Sequence, residues 1–119
     1  MRSHTYRVLY CEPLEIDGWE TDASVVCLLD FLTGKKIYSG IVLEKETAQL
    51  GEKEIWLSWV KTLPSWEAAR NALWEYINSD TIIVGHGLYH DFDTLKMVPP
   101  RIVDSDVLAQ HAIGYGRRV

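Results

Sequence analysis

Apolar and polar positions alternate or cluster along this chain in a way that divides it into strand, helix and turn segments. Thr5–Cys11 reads as a first strand, and Glu12–Asp22, with Pro13, Gly18 and five acidic residues, reads as a loop. Ser24–Leu32 is a nearly unbroken apolar run rich in strand formers. Thr33-Gly34-Lys35 makes a turn, and Lys36–Leu43 returns as a third strand, so the pair predicts an antiparallel hairpin. In Glu44–Leu63 the spacing of Ile55, Trp56, Trp59 and Val60 predicts a short helix with one apolar face. Ser65–Ile77 is the clearest helix. Ser65 stands where an N-cap belongs, and Trp66, Ala69, Leu73 and Ile77 fall on one stripe that predicts core packing rather than ligand binding. Thr81–Gly85 predicts a fourth strand, His90–Met97 a helix, Arg101–Asp104 a fifth strand and Ser105–Ile113 a last helix. Three strands followed by helix–strand alternation predict an α/β architecture, a mixed sheet of about five strands with helices on its faces.

Composition narrows the class. A chain of 119 residues forms one domain that buries roughly 65% of its unfolded surface. Apolar residues at 47% and charged residues at 24% are ordinary for a globular protein. The net charge of -5 argues against a surface that grips phosphate backbones over its whole extent. It leaves room for an enzyme whose ligands are carboxylates. Cys11 and Cys27 form no Cys-x-x-Cys pair and read as small thiols within strands. No leader and no apolar run near 18 residues is visible, which predicts an intracellular protein, nuclear or cytoplasmic, without membrane contact. No glycine-rich phosphate loop or nucleophile elbow points to a small-molecule enzyme.

The candidate chemistry lies at strand ends, where open α/β sheets collect their ligands. Glu12 follows the first strand, Asp91 follows the turn after the fourth, and Asp104 closes the fifth. Hard divalent cations prefer carboxylate oxygens, and a two-metal phosphodiesterase site needs about three or four of them to converge. The structural alternative is a set of solvated strand-end acids. Asp104-Ser105-Asp106 also fits a cap for the last helix, His90 fits a solvated turn residue, and Asp91 and Asp93 point to different sides of their helix.

Three stretches carry a family resemblance. Val8-Leu-Tyr-Cys-Glu12 resembles the first motif of the DEDD exonucleases, Asp-x-Glu at the end of strand one. Val84-Gly-His-Gly-Leu-Tyr-His-Asp-Phe-Asp-Thr-Leu95 resembles the second motif, and Arg101-Ile-Val-Asp-Ser105 the strand after it. The likeness is to fungal RNA exonucleases of the DEDDh class and runs over nearly the whole chain. It implies a ribonuclease-H-like fold, here one exonuclease-like domain over residues 1–119 that lacks the family's C-terminal helix. It also implies Mg²⁺ or Mn²⁺ as cofactor, Glu12 and Asp91 as metal ligands, Asp104 as a supporting acid, and His86 and His90 on the nucleic-acid side.

The departures are as informative. Tyr10 stands where the family has its first Asp, and a phenol is a poor ligand for a hard cation. The third motif, a His base five residues before an Asp, does not occur in these 119 residues, since Gly116 lies five after His111. Two readings are open. One is a catalytically inactive, exonuclease-like interaction scaffold that binds a protein partner or a second copy of itself, with RNA as a weaker partner. The other is a fragment of an active metal-dependent exonuclease that keeps part of its metal and nucleic-acid site. Tyr10 favours the first, because truncation alone leaves the first motif intact. Apolar residues on both faces of Ser24–Leu32 and Thr81–Val84 predict association, with Trp56, Trp59 and Trp66 as anchors.

Overall fold

A computed structural model describes residues 4–45, 50–51, 55, 57, 59–99 and 101–105. Five strands form one mixed sheet in the order β3-β2-β1-β4-β5. The strands are β1 (Thr5–Ile16), β2 (Trp19–Asp30), β3 (Lys36–Val42), β4 (Thr81–Gly85) and β5 (Ile102–Asp104), with helices α1 (Trp66–Trp74) and α2 (Leu88–Leu95). β1, β2 and β3 are antiparallel neighbours, while β4 runs parallel to β1 and β5 parallel to β4. This α/β arrangement, an antiparallel meander continued by a parallel pair, is consistent with the ribonuclease-H-like fold.

Residues 12–22, expected as a loop, are instead the far half of the β1–β2 hairpin. Asp17 and Gly18 both sit at positive φ, 51° and 81°, as a two-residue type I′ turn requires. Asp-Gly is the strongest short hairpin signal, and the surrounding Pro13 and acids mask it. Pro13 is accommodated because the register slips between Pro13 and Glu15, where Thr21 Oγ1 donates to the Leu14 carbonyl at 2.9 Å. The β2–β3 turn is set by Asp30, whose carboxylate accepts from the Thr33 amide at 2.9 Å and its hydroxyl at 2.7 Å. These bonds, with Arg7 at 2.9 Å, hold the Asp30 carboxyl below the usual carboxylate range.

One core joins both helices to one face of the sheet. Leu9, Val26, Leu28 and Ile83 pack against Ala69 and Leu73 of α1, Leu88, Phe92 and Leu95 of α2, and Ile77. Each such side chain fully withdrawn from water contributes about 2 kcal/mol. The predicted α1 stripe is therefore core, and half-buried Trp66 packs against it. Ser65 caps α1 by accepting from the Ala68 amide at 3.1 Å. The helix ends at Trp74, three residues before the expected Ile77.

The next residues along each strand point to the opposite face. There a smaller cluster joins Ala23, Leu43 and Leu57, with Leu14, Ile41 and Leu50 against it. In the expected 44–63 helix, Leu57 is buried while Trp59 is 86% exposed, so the buried position is not the one the spacing selects. Trp56 and most of the expected last helix lie outside the described residues. No helix among the described residues is long and apolar enough to cross a membrane.

Candidate active site

The site is assembled where β1, β4 and β5 end and α2 begins. β4 closes on Gly85. A Cβ there would come within 2.5 Å of the Leu88 side chain and 3.0 Å of the Leu9 carbonyl oxygen. Only glycine lets the first turn of α2 lie this close to the sheet. Gly87 then takes the left-handed conformation, φ 65°, that turns the chain into the helix. The helix starts at Leu88, two residues before the expected His90, so Asp91 stands at its fourth position rather than its start.

Asp104 caps α2 with its carboxylate, while most of the helix that it is expected to cap lies outside the described residues. Oδ1 accepts from the Gly87 amide at 3.0 Å and Oδ2 from the Leu88 amide at 2.8 Å. The side chain is buried, and its charge suits the positive end of the α2 dipole. This explains why an acid closes a strand here: it fastens β5 to the helix that carries Asp91.

Asp91 is half-buried and accepts a hydrogen bond from the Cys11 amide. Cys11 lies between Tyr10 and Glu12, so the second motif's carboxylate is held against the main chain of the first. Burial pushes the Asp91 carboxyl up to about 6; the neighbouring Asp104 charge adds to the rise, while His90 and the Cys11 amide oppose it. Burial, with the Asp91 charge beside it, pushes the Cys11 thiol up to about 12, so this thiol is inert.

Tyr10 and Glu12 alternate with Leu9 and Cys11 and so lie on the face away from the helices. Both are exposed, with Tyr10 at 38%. The Tyr10 hydroxyl is hydrogen-bonded to the Cys27 thiol across the β1–β2 pair. That bond, with some burial and the Cys27 and Glu12 charges, raises the phenol above its usual value. A phenol so placed stays protonated and offers no anionic oxygen to a cation.

His86 is exposed on the β4–α2 connection and His90 on the first turn of α2. His86 Nδ1 lies 3.0 Å from Ser105 Oγ, and His90 stands edge-on to Tyr89 with ring centroids 5.6 Å apart. Sequence reasoning missed Cys11 and Ser105. Cys11 acts through its amide, which every residue but proline has; Ser105 acts through a contact 19 residues away in sequence. Neither leaves a local signal.

These residues do not fit a two-metal centre. Among the described residues no group of three or more His, Cys, Asp or Glu side chains is placed to hold an ion. Both Asp104 oxygens accept from α2 amides, and Tyr10, where the resembled family has its first Asp, carries a neutral hydroxyl. What the arrangement provides is a half-buried Asp91 carboxylate near the strand ends, with His86, Tyr89 and His90 exposed nearby.

Comparison with known proteins finds similarity to two fungal RNA exonucleases. The chain is 26% identical over 89 residues to RNA exonuclease 3 of Candida albicans, covering 70% of this chain and 21% of that protein. It is 39% identical over 44 residues to RNA exonuclease 3 of Yarrowia lipolytica, covering 37% of this chain and 6% of that protein. The chain thus spans about a fifth or less of the length of these relatives. No family model matches it, and no solved structure does.

Proposed function

We propose that this chain is an RNA exonuclease-like domain that has kept the frame of the site and lost its hydrolysis. The observation that carries this reading is Tyr10, a neutral phenol tied to Cys27 at the position of the resembled family's first aspartate. Similarity to two fungal proteins named RNA exonuclease 3 supports the ancestry. On this reading Glu12 and Asp91 are remnants of a Mg²⁺ or Mn²⁺ site, and Asp104 is the support that still holds α2 in place. His86 and His90 remain as contacts for single-stranded RNA. The domain works as a binding scaffold, with a protein partner or a second copy on the sheet face away from α1 and α2.

Incubation of the 119-residue chain with 3′-labelled single-stranded RNA and Mg²⁺ or Mn²⁺ tests the loss of hydrolysis. The label is expected to stay full length. Loss of a single ligand from a two-metal centre removes several kcal/mol of transition-state stabilisation, roughly a thousandfold in rate. Stepwise shortening that vanishes in Asp91→Ala sinks the proposal and restores the reading as a fragment of an active exonuclease. Light scattering at micromolar concentration tests the scaffold role, for which a mass above 13.7 kDa is expected.

A further inference from the structure

The ring of His86 is fixed by its neighbours in one protonation pattern. Ser105 Oγ lies 3.0 Å from His86 Nδ1 and 3.2 Å from the Gly85 carbonyl oxygen. A hydroxyl has one hydrogen to give, and a carbonyl oxygen only accepts. Both contacts are hydrogen bonds only if Ser105 donates to Gly85 and accepts from His86. Nδ1 must then carry the proton. In the neutral ring Nε2 is left as a lone pair, with no partner among the described residues. A neutral Nε2 cannot donate to a phosphate oxygen, which has no proton of its own to share at neutral pH. It accepts from a hydroxyl.

We propose that His86 Nε2 accepts a hydrogen bond from a ribose 2′-hydroxyl and so selects RNA over DNA, with Ser105 as the residue that positions it. This rests on the RNA-binding part of the function proposed above. A 2′-hydroxyl is the group by which a protein distinguishes the two sugars. Tyr89, the second residue of α2, is 75% exposed and offers the flat surface on which a base stacks. Sugar recognition and base stacking thus issue from the junction of β4 and α2.

The test compares a fluorescent oligouridylate with its 2′-deoxyuridine counterpart, which differs only at the sugar. Anisotropy at fixed low salt gives the two affinities for the parent chain, Ser105→Ala and Ser105→Thr. Long-range ¹H–¹⁵N spectra report which ring nitrogen of His86 carries the proton. The parent is expected to bind the ribose form about 2- to 10-fold tighter, the range of one net hydrogen bond. Its ring is expected to be protonated at Nδ1. Ser105→Ala abolishes the preference and releases the ring to Nε2–H, and Ser105→Thr retains both properties. Equal affinity for the two sugars in the parent overturns the proposal while leaving the RNA-binding reading intact. So does an Nε2–H ring in the parent, or a preference that survives unchanged in Ser105→Ala. Failure to bind either oligonucleotide overturns the RNA-binding reading and, with it, the hydroxyl role.

Discussion

Replacing Asp91 by asparagine should stabilise this protein near neutral pH and leave its stability unchanged in acid. The carboxyl is raised from 3.8 to about 6, chiefly by burial and then by the Asp104 charge. The folded chain therefore holds a proton on Asp91 at pH values where the unfolded chain has released it. Stability falls as pH climbs from about 4 to about 6, and the loss stays constant above that window. Each tenfold change in proton affinity is worth about 1.4 kcal/mol, so the full rise corresponds to about 3 kcal/mol. Asp91 is only half-buried, and solvent screening cuts this to about 1–1.5 kcal/mol. Asparagine resembles the protonated carboxyl, and its Oδ1 can still accept from the Cys11 amide. Thermal unfolding of parent and Asp91→Asn at pH 3.5, 5 and 7.5 checks this. A variant more stable by about 1–1.5 kcal/mol at pH 7.5, or about 4–6 °C in Tm, is expected, with the difference vanishing at pH 3.5. Taking the difference between the two proteins removes the contribution of every other titrating acid. A parent that is the more stable at pH 7.5, or a difference independent of pH, refutes the burial of a charge at this position.

Two further outcomes are expected from the same geometry. Asp104→Ala removes both acceptors from the first amides of α2, and a loss of about 2–4 kcal/mol is expected in urea unfolding, with α2 loosened in hydrogen exchange. Tyr10→Asp restores a hard oxygen on the face of Glu12, so calorimetric titration with Mn²⁺ should show tighter binding without nuclease activity; equal affinity in both proteins means that positions 10, 12 and 91 do not form one site.

Much of this fold is legible in the sequence because it arises from side-chain patterns. The α1 stripe is spaced for one helix face, and it lands in the core at Ala69, Leu73 and Ile77. Thr81–Gly85 is an apolar run stopped by a glycine, and it is β4 residue for residue. Sequence misleads where the decisive group is main chain or lies far away along the chain. Asp17-Gly18 turns the β1–β2 hairpin by its backbone conformation, inside a stretch whose acids and proline suggest a loop. Asp104 resembles a cap for the next helix because Ser105 and Asp106 are its neighbours in the chain. In three dimensions it is the α2 amides of Gly87 and Leu88 that its carboxylate meets. Asp91 is identifiable from a motif, but its anchor is the Cys11 amide, which no motif specifies.

The same contacts explain how the frame of such a site can outlast its chemistry. Gly85 admits α2 against β1, Asp104 ties α2 to β5, and the Cys11 amide receives Asp91. Each of these contacts contributes to folding with no ion and no substrate present. Tyr10 is different: its side chain lies on the outer face, 38% exposed, and is tied only to its strand neighbour Cys27 among the interactions that raise its pKa most. An aspartate there would serve a cation and little else. On the proposed reading, loss of metal chemistry removes the constraint on position 10, while positions 85 and 104 stay constrained by packing and by the amides they satisfy. On that reading, a changed position 10 beside a retained Gly85 and Asp104 is what this division of labour produces.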